Sequence, residues 1–381
     1  MSENLRNRLL AVSAVLVFGV LLVVLAVTSY RGKSGTWDEP QHLTAGYAML
    51  TEGDYRIDPE HPPLVRVWAA LLLLAKESDV VLNADEIGGT TPGVWVAGEQ
   101  FFFCHDFLYT VNDAETVLFP ARFMIVLLAV GLGALVFAWV RAWYGWWPAA
   151  AALVMVLLEP NLLAHSRLVT TDLGFTVFAF GTLFFLWRTS QRPSWPNVTG
   201  LAVFFALAHI AKFSAILLWP VVLLLIALGV VPSREALDRI RYAWLRRRWV
   251  AGVALATLLA SATWITIWAG YGFRYDPSPE SGWRYALHED PTVVERVPTL
   301  SRVVAWVDGR HLLPNAYSQG FLRGQYKAQK RSAYLAGNYS NEGWWYFFPV
   351  AFLIKTPLTL LLLLFGGLFL CVRRRRDFLR K

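Results

Sequence analysis

Long apolar runs alternate along the chain with short polar segments. A transmembrane helix needs about 20 mostly apolar residues. The first run is longer than the apolar core of about 7–15 residues that is typical of a signal peptide, and no small-residue cleavage site follows it, so it predicts a membrane anchor. The whole pattern predicts eight spans, at residues 9–28, 117–140, 146–164, 172–187, 198–211, 213–231, 249–269 and 346–371.

Basic residues concentrate in the short segments that lie on one side of these spans. With the N-terminus in the cytoplasm, the inner segments hold 17 of the 35 Lys and Arg but only 4 of the 27 Asp and Glu. Positively charged short loops stay on the cytoplasmic side of a membrane. The pattern therefore predicts a multi-pass membrane protein with both termini in the cytoplasm, where the inner segments are 1–8, 141–145, 188–197, 232–248 and 372–381.

Two segments are too long to be simple connections, and this topology places both outside. They are residues 29–116, the first outer segment, and residues 270–345, the second outer segment. Loops longer than about 12–15 residues usually carry function or structure of their own. The first outer segment has a helical pattern at 40–51 and an apolar stretch at 64–75, which is too short to span and predicts an interfacial or re-entrant helix. We interpret residues 1–381 as a single membrane domain with two outer elaborations.

The composition agrees with an all-α integral membrane protein. Hydrophobic residues make up 56% of the chain and charged residues 16%, and the mean hydropathy is +0.43. Soluble domains have about 45–50% apolar and about 25% charged residues. The net charge of +8 follows the membrane topology, so we expect no nucleic-acid partner. Two cysteines, Cys104 and Cys371, cannot form a disulfide framework.

Two acidic residues, Asp38 and Glu39, follow shortly after the first span. Thr36 and Glu39 have the spacing of a capping box, and Pro40 suits the first turn of a helix, so Glu39 has a structural interpretation. The cap does not explain Asp38, which shares one helix face with His42. A carboxylate here could act as a general base toward an incoming hydroxyl group.

A second polar cluster precedes the apolar stretch at 64–75. It begins at Asp58 and contains Glu60 and His61, which two prolines follow. Prolines break helices and favour fixed extended turns, so a purely structural turn is one interpretation. The functional interpretation is a stiff loop that presents Glu60 and His61 at the membrane surface, where His61 would bind a phosphate or help to hold a metal ion.

A third group of ionisable residues lies between the third and fourth spans, and two lysines lie at similar depth on other spans. Asp172 also has a structural interpretation as the N-cap of the fourth span. A single lysine near a span end commonly extends to the interface. Ionisable groups at a membrane boundary are costly unless they face a cavity or each other. Together they predict a site facing outward at the bilayer surface, with Glu159, His165, Arg167, Asp172, Lys212 and Lys355.

The sequence has no Walker loop, dinucleotide fingerprint, serine nucleophile elbow or HExxH motif. A soluble nucleotide donor on the cytoplasmic side is therefore not favoured. A substrate carried on a lipid suits the predicted depth of the site better.

Four short motifs, in this order, resemble the GT-C superfamily of membrane glycosyltransferases. The resemblance is to its polyprenyl-phosphate-dependent branch, which includes protein O-mannosyltransferases and the aminoarabinose transferase of lipid A. The motifs are an acidic pair after span one, an acid and a cation before Pro-Pro-Leu, an Asp between spans three and four, and an aromatic stretch leading to Lys-Thr-Pro-Leu. Here they are Asp38-Glu39, 60–64, Asp172 and 343–358. The chain departs from aminoarabinose-type enzymes, which have Lys at the position of His61, and it ends where relatives usually continue with further spans.

The resemblance implies a GT-C-like bundle that transfers a sugar from a polyprenyl phosphate, such as undecaprenyl phosphate, to a hydroxyl acceptor, with inversion. The acceptor would be a protein, a glycan of the cell envelope or a lipid, and the second outer segment would cap the site. Asp38 would be the general base, and the neighbouring catalytic carboxylates Glu39 or Asp172 would raise its pKa, because like charges disfavour joint ionisation.

The resemblance also implies positive charge around the departing phosphate. The residues for this task are His61, Arg66, Arg167, Lys212 and Lys355, and the supporting residues are Glu60, His42 and His165. Some relatives use a divalent ion. If Mg²⁺ or Mn²⁺ binds here, its expected ligands are Asp38, Glu39 and His61.

Two other classes remain open. A lipid or sugar-lipid flippase or transporter also has ionisable groups within its spans, but transporters usually bind near the midplane and show repeated halves. No repeat is visible in this chain. The other alternative is a GT-C-like subunit without catalytic activity.

Overall fold

The computed structural model of the chain describes residues 3–83, 97–238, 246–280, 282–330 and 332–378. Parts of the predicted inner segments 232–248 and 372–381 lie outside these residues. Within the described part, the chain is almost entirely helical, with one short β-hairpin.

The helices and strands are numbered in chain order. Short 3₁₀ stretches cover Leu71–Asp79, Phe213–Leu217 and Leu287–Glu289, and a π-helical turn covers Phe107–Val111. The α-helices are α1 (Glu3–Tyr30), α2 (Glu39–Thr51), α3 (Leu64–Ala70), α4 (Ala97–Asp106), α5 (Ala114–Tyr144), α6 (Trp146–Leu158), α7 (Pro160–His165), α8 (Thr171–Gln191), α9 (Trp195–Ala211), α10 (Leu218–Ala227), α11 (Arg234–Asp238), α12 (Arg248–Gly270), α13 (Pro291–Arg296), α14 (Pro298–Asp308), α15 (Asn315–Ala328), α16 (Phe347–Lys355) and α17 (Leu358–Phe378). The strands are β1 (Ala333–Leu335) and β2 (Asn338–Ser340).

Four helices of the described residues are long and apolar enough to cross a membrane: α1, α5, α8 and α12. They coincide with the predicted spans at 9–28, 117–140, 172–187 and 249–269. The number rises to five if α16 and α17, which are bent relative to each other by 113°, count as one span. The prediction of an all-α membrane fold is confirmed. The other predicted spans correspond, in the described residues, to shorter apolar helices and to the bent pair of α16 and α17.

Two predicted spans are broken at a residue that precedes a proline. The span at 146–164 divides into α6 and α7 at Glu159, and the span at 346–371 divides into α16 and α17 at Thr356. Both residues are extended, with ψ of 112° and 130°. A proline disfavours the helical conformation of the residue before it. The proline therefore ends one helix and begins another inside each predicted span.

The remaining two predicted spans, 198–211 and 213–231, are short helices on either side of an extended residue. The first is α9, which has 17 residues and is followed by the extended residue Lys212, with φ −159° and ψ 140°. The second is a 3₁₀ stretch that leads into α10. Pro220 in the first turn of α10 lacks an N–H donor and crowds the preceding turn, which explains the irregular start. The break leaves the Lys212 side chain at a helix end.

Close contact between small and large residues fixes the packing of the long helices. A Cβ atom at Gly133 of α5 would lie 2.2 Å from the Phe18 ring of α1. A Cβ atom at Gly181 of α8 would lie 2.0 Å from the Phe204 ring of α9. Small residues of this kind allow close approach where hydrophobic burial does not drive helix association. The largest apolar core joins α1, α2, α3, α5, α6 and α8, and a second core joins α8, α9, α10 and α12.

The two outer segments pack directly against each other. The Tyr55 N–H donates to the Pro277 carbonyl at 2.7 Å. The Arg56 guanidinium bridges Asp54, at 2.6 Å, and Glu280, at 2.8 Å. The predicted helices of the first segment exist as α2 and as α3 with its 3₁₀ extension. The described part of the second segment contains helices α13, α14 and α15, irregular connections, and strands β1 and β2. The two strands are antiparallel and joined by a two-residue turn at Ala336 and Gly337, both with positive φ.

Candidate functional site

The Glu39 carboxylate is completely buried at the start of α2. Its Oε1 and Oε2 atoms accept hydrogen bonds from Arg122 of α5 at 2.9 Å and 2.6 Å. Glu39 also accepts from the backbone N–H of Thr36 at 2.8 Å, as in a capping box, and from that of Val169 at 2.9 Å. Burial alone would raise the pKa of Glu39, but the bonds to Arg122 and the two backbone donors outweigh it and lower the pKa. Glu39 therefore ties three parts of the chain together as a carboxylate.

Asp38, the residue before Glu39, has the opposite environment. Its side chain is exposed, and it makes no cap bond to the helix that it precedes. Within the described residues, no side chain or backbone donor binds its carboxylate. The neighbouring Trp37 is also exposed and stacks on Phe101 of α4, with ring centroids 4.6 Å apart. Asp38 is thus a free carboxylate held on a fixed helix start.

The loop from Asp58 to Pro63 is organised around the buried guanidinium of Arg66. Arg66 is 1% exposed, and it donates to the carbonyls of Ile57, Asp58, His61 and Pro62. The backbone of Asp58 is left-handed, with φ +46°, and its N–H donates to the Gln100 side chain at 3.2 Å. Strained backbone of this kind persists where the surroundings hold it, often at functional sites. The structure therefore places Arg66 inside the loop, where its donors face carbonyl oxygens.

Three potential metal ligands meet where this loop crosses α2. His42, Asp58 and His61 each offer an atom within 4.8 Å of the others. The His42 Nδ1 atom lies 3.5 Å from Asp58 Oδ2, and the His42 and His61 rings meet edge to face with centroids 4.7 Å apart. His42 and Asp58 are buried, whereas His61 is half-buried. The open side of this cluster is therefore at His61.

His61 lacks the positive charge that a phosphate-binding role would need. Burial lowers the pKa of His61 to about 3, against the raising effect of Asp58, so His61 is neutral at neutral pH. Burial alone would raise the pKa of Asp58, but its interactions with His42 and Arg66 outweigh burial and hold the pKa well below its usual range. Asp58 is thus a buried carboxylate.

A second ion pair lies beside His61. The Lys212 ammonium, at the break after α9, is 2.6 Å from Asp172 Oδ1 in the first turn of α8. Thr171 joins this pair to the cluster, because its hydroxyl lies 3.4 Å from His61 Nδ1. Thr170, not Asp172, precedes α8 as its N-cap residue, so the interpretation of Asp172 as an N-cap is wrong.

Arg167 and His165 lie on the connection between α7 and α8, close to the same site. Arg167 is half-buried and donates to the Ser29 carbonyl at the end of α1 at 3.1 Å. His165 is exposed. Since Glu39 binds the N–H of Val169, this connection is held against the start of α2. The structure thus brings the connection, with Arg167, toward Asp38.

Glu60 and Lys355, two further predicted site residues, have no described contact with the cluster of His42, Asp58 and His61. Glu60 pairs with Arg323, at 2.9 Å, and with Lys327, both on α15. Lys355 is exposed at the end of α16, and no carboxylate of the described residues pairs with it. Its backbone carbonyl accepts from Asn161 at 3.0 Å, which places it near the start of α7. Glu60 therefore holds the second outer segment against the loop, and no described contact joins the Lys355 ammonium to the Asp58 cluster.

The group that could hold a metal ion differs from the predicted one. Glu39 is occupied by Arg122, and Asp38 is exposed and apart from the cluster, so His61 is the one predicted ligand that belongs to the group His42, Asp58 and His61. Two imidazoles and one carboxylate suit transition metals better than Mg²⁺, which prefers oxygen ligands.

Two residues of the site were not among those predicted. Arg122 binds Glu39, and a lone arginine within the apolar span at 117–140 is a signal that could have identified it. Asp58 was noted in its cluster without a role of its own. Its contact with His42 across 16 positions of sequence has no local signal.

Comparison with known families agrees with the resemblance described above. Residues 114–268 match the family described as dolichyl-phosphate-mannose-protein mannosyltransferase. The matched residues run from α5 to α12 and include Arg122, Arg167, Asp172 and Lys212. The chain has no match among curated proteins. The matched residues, which are fewer than half of the chain, are similar to a family of membrane glycosyltransferases of the GT-C type, and the predicted resemblance to the GT-C superfamily is thereby confirmed.

Proposed function

We propose that this membrane glycosyltransferase moves a sugar from a polyprenyl-phosphate donor to a hydroxyl acceptor, with Asp38 as the general base. The observation that carries the proposal is the free, exposed carboxylate of Asp38 on a helix start that the Glu39–Arg122 pair fixes. A general base must be accessible to the substrate hydroxyl and held in place. Asp38 meets both conditions.

The reaction follows from this placement. Asp38 takes the proton of the acceptor hydroxyl, whose oxygen attacks C1 of the sugar while the bond from C1 to the phosphate oxygen breaks. The polyprenyl phosphate leaves with the electron pair of that bond and needs no proton. Attack from the face opposite the phosphate inverts the anomeric centre.

The cations that face the departing phosphate are Lys212 and Arg167 in this proposal. Lys212 is at a helix break beside Asp172, from which a phosphate could displace it. Arg167 is half-buried on the connection that Glu39 holds beside Asp38. Positive groups that are already in position when charge develops stabilise the transition state. Arg66 donates its hydrogen bonds to backbone carbonyls, and His61 is neutral at neutral pH. Both residues therefore position the loop and do not face the phosphate.

The proposal also places the donor lipid, the side of the membrane and the acceptor. The donor tail lies in the bilayer beside α3 and the later helices, and the site faces the outer side of a bacterial cytoplasmic membrane. The exposed ring of Trp37, next to Asp38, offers a flat apolar surface to the acceptor. A sugar ring on the acceptor would stack there.

A flippase for lipid-linked sugars is the second candidate, because helix breaks at Glu159, Lys212 and Thr356 are also typical of transporters. Transfer and translocation have different products. Only a transferase releases the sugar from its lipid phosphate.

The test measures release of polyprenyl phosphate from synthetic lipid-linked sugars by the purified protein. Asp38→Asn should lower the rate by about 10²–10⁴-fold, the usual contribution of a general base. Asp106→Asn, which changes an exposed acid on α4, is the matched control and should keep the rate. Equal rates for Asp38→Asn and wild type would remove Asp38 as the base. Saturable binding of the lipid without release by the wild type would favour the flippase.

A further inference from the structure

Three buried polar side-chain atoms of the first outer segment have no hydrogen-bond partner among the described residues. One of them is Gln100 Nε2, and the two that concern this site, His42 Nδ1 and Asp58 Oδ2, face each other at 3.5 Å. This separation is longer than the 2.7–3.2 Å of a good hydrogen bond between nitrogen and oxygen. Buried polar atoms without a partner are rare, and a bound ion is one of the explanations for them.

We propose that His42, Asp58 and His61 form a binding site for one zinc ion or a similar divalent transition metal. Zinc is bound by imidazole nitrogens at about 2.0–2.1 Å and by carboxylate oxygens at about 2.0–2.2 Å. In a tetrahedron of such bonds the ligand atoms are roughly 3.4 Å apart. The 3.5 Å between His42 and Asp58 fits this spacing, and the third ligand is already within 4.8 Å.

The half-buried ring of His61 completes the site from its open side. His42 and Asp58 are held by buried backbone, on α2 and on the loop that Arg66 organises. His61 would close on an ion by a rotation of its side chain, because its ring already meets that of His42 and its ligand atom lies within 4.8 Å of Asp58. Three protein ligands leave a fourth position, which is typical of zinc sites that also bind water or a substrate oxygen.

The alternative to a metal ion is that the Arg66 guanidinium alone balances the negative charge of Asp58, since its Nη1 atom lies 3.6 Å from the same Oδ2 atom. Arg66 is fixed by four backbone carbonyls, so it approaches Asp58 from one side only. The ion would occupy the side that faces His42 and His61. If Arg66 alone compensates Asp58, the purified protein binds no metal at this place.

The test is the metal content of the full-length protein in detergent, stripped with a chelator and then equilibrated with Zn²⁺. The wild type should retain about one zinc per chain after removal of excess ion. His61→Phe and His42→Phe keep an aromatic ring in place and should lower the retained zinc at least tenfold. His105→Phe changes an exposed histidine that stacks between Phe101 and Tyr109 on the surface, and it should retain the ion.

A second readout separates loss of the site from loss of the fold. Added zinc should raise the unfolding temperature of the wild type and of His105→Phe, and leave that of a folded His61→Phe unchanged. A refolded or intact wild type that retains no zinc would overturn the proposal, as would equal zinc in the wild type and both cluster variants. Neither readout uses catalysis, so the outcome is independent of the proposed transfer reaction.

Discussion

Glu39 Oε2 lies 2.6 Å from Arg122 Nη2, and both side chains are almost completely buried. The pair joins the start of α2 to α5. Arg122 also donates to the carbonyls of Lys33 and Ser34 at 2.8 Å. Because every donor and acceptor of the pair has a partner, the ion pair fixes the short connection between α1 and α2. The position of Asp38 follows from it.

Replacement of Arg122 by methionine should therefore destabilise the protein strongly. The change leaves the Glu39 carboxylate buried without its partner, which costs about 3–5 kcal/mol. The measurement is the unfolding midpoint of the purified protein, followed by tryptophan fluorescence. Arg141→Met, on the same helix, is the matched control, because Arg141 is partly exposed and donates to the Asn7 carbonyl at its surface. A similar midpoint for both variants would contradict the role given to the pair.

The same pair predicts how stability depends on pH. The pKa of Glu39 is lower in the folded protein than in the unfolded chain, where it is about 4.3. The stabilisation is therefore complete above about pH 4.3 and is lost as the pH falls through the lower folded value. The unfolding midpoint of the wild type should exceed that of Glu39→Gln at pH 7, and the difference should shrink below about pH 4. A difference that stays constant across this range would show that the charge of Glu39 does not stabilise the fold.

The contact between the two outer segments depends on a glycine. A Cβ atom at Gly320 of α15 would lie 1.9 Å from the Pro59 carbonyl oxygen, so Gly320→Ala must push α15 away from the loop. We expect a loss of about 1–3 kcal/mol, typical of overpacking, together with lower transferase activity. Gly324→Ala, one turn later, meets nothing within 4 Å and should stabilise the helix by up to about 1 kcal/mol. Unfolding midpoints that move in the same direction for both variants would argue against the close contact.

Lys212 and Lys355 provide a paired test of the phosphate site. Lys212→Ala should lower kcat/KM for the lipid donor by about 10–100-fold, because a hydrogen bond to a charged group contributes about 1.5–3 kcal/mol. Lys355→Ala should have little effect, since no described contact places that ammonium near Asp38. Steady-state rates at varied donor concentration measure both. A larger loss for Lys355→Ala would move the phosphate site toward α16.

Local patterns in the sequence predicted the elements that depend on local chemistry. The spacing of Thr36 and Glu39 and the position of Pro40 gave the start of α2, and the Glu39 carboxylate binds the Thr36 N–H as expected of a capping box. The apolar stretch at 64–75 is helical. The breaks at Glu159 and Thr356 also have a signal in the sequence, because a proline follows each of them. Hydrophobicity alone joined those pieces into continuous spans.

The pairing of distant residues was beyond sequence analysis. Glu39 meets a residue 83 positions later, and Glu60 meets residues of α15 more than 260 positions later. Nothing in the local spacing of either acid identifies its partner. For this reason Glu39 and Glu60 were expected to face a substrate, whereas the structure gives both of them protein cations.

The way in which Arg66 holds the Asp58–Pro63 loop bears on how this surface can diversify. Its hydrogen bonds go to carbonyl oxygens, which every amino acid supplies, so the path of the loop is independent of the side chains displayed at Glu60 and His61. Substitutions at such positions change the chemistry that the loop presents while the backbone that Arg66 holds keeps its path. The lysine that aminoarabinose-type enzymes have at the position of His61 is one such replacement, and His61→Lys in this chain should leave the loop backbone in place.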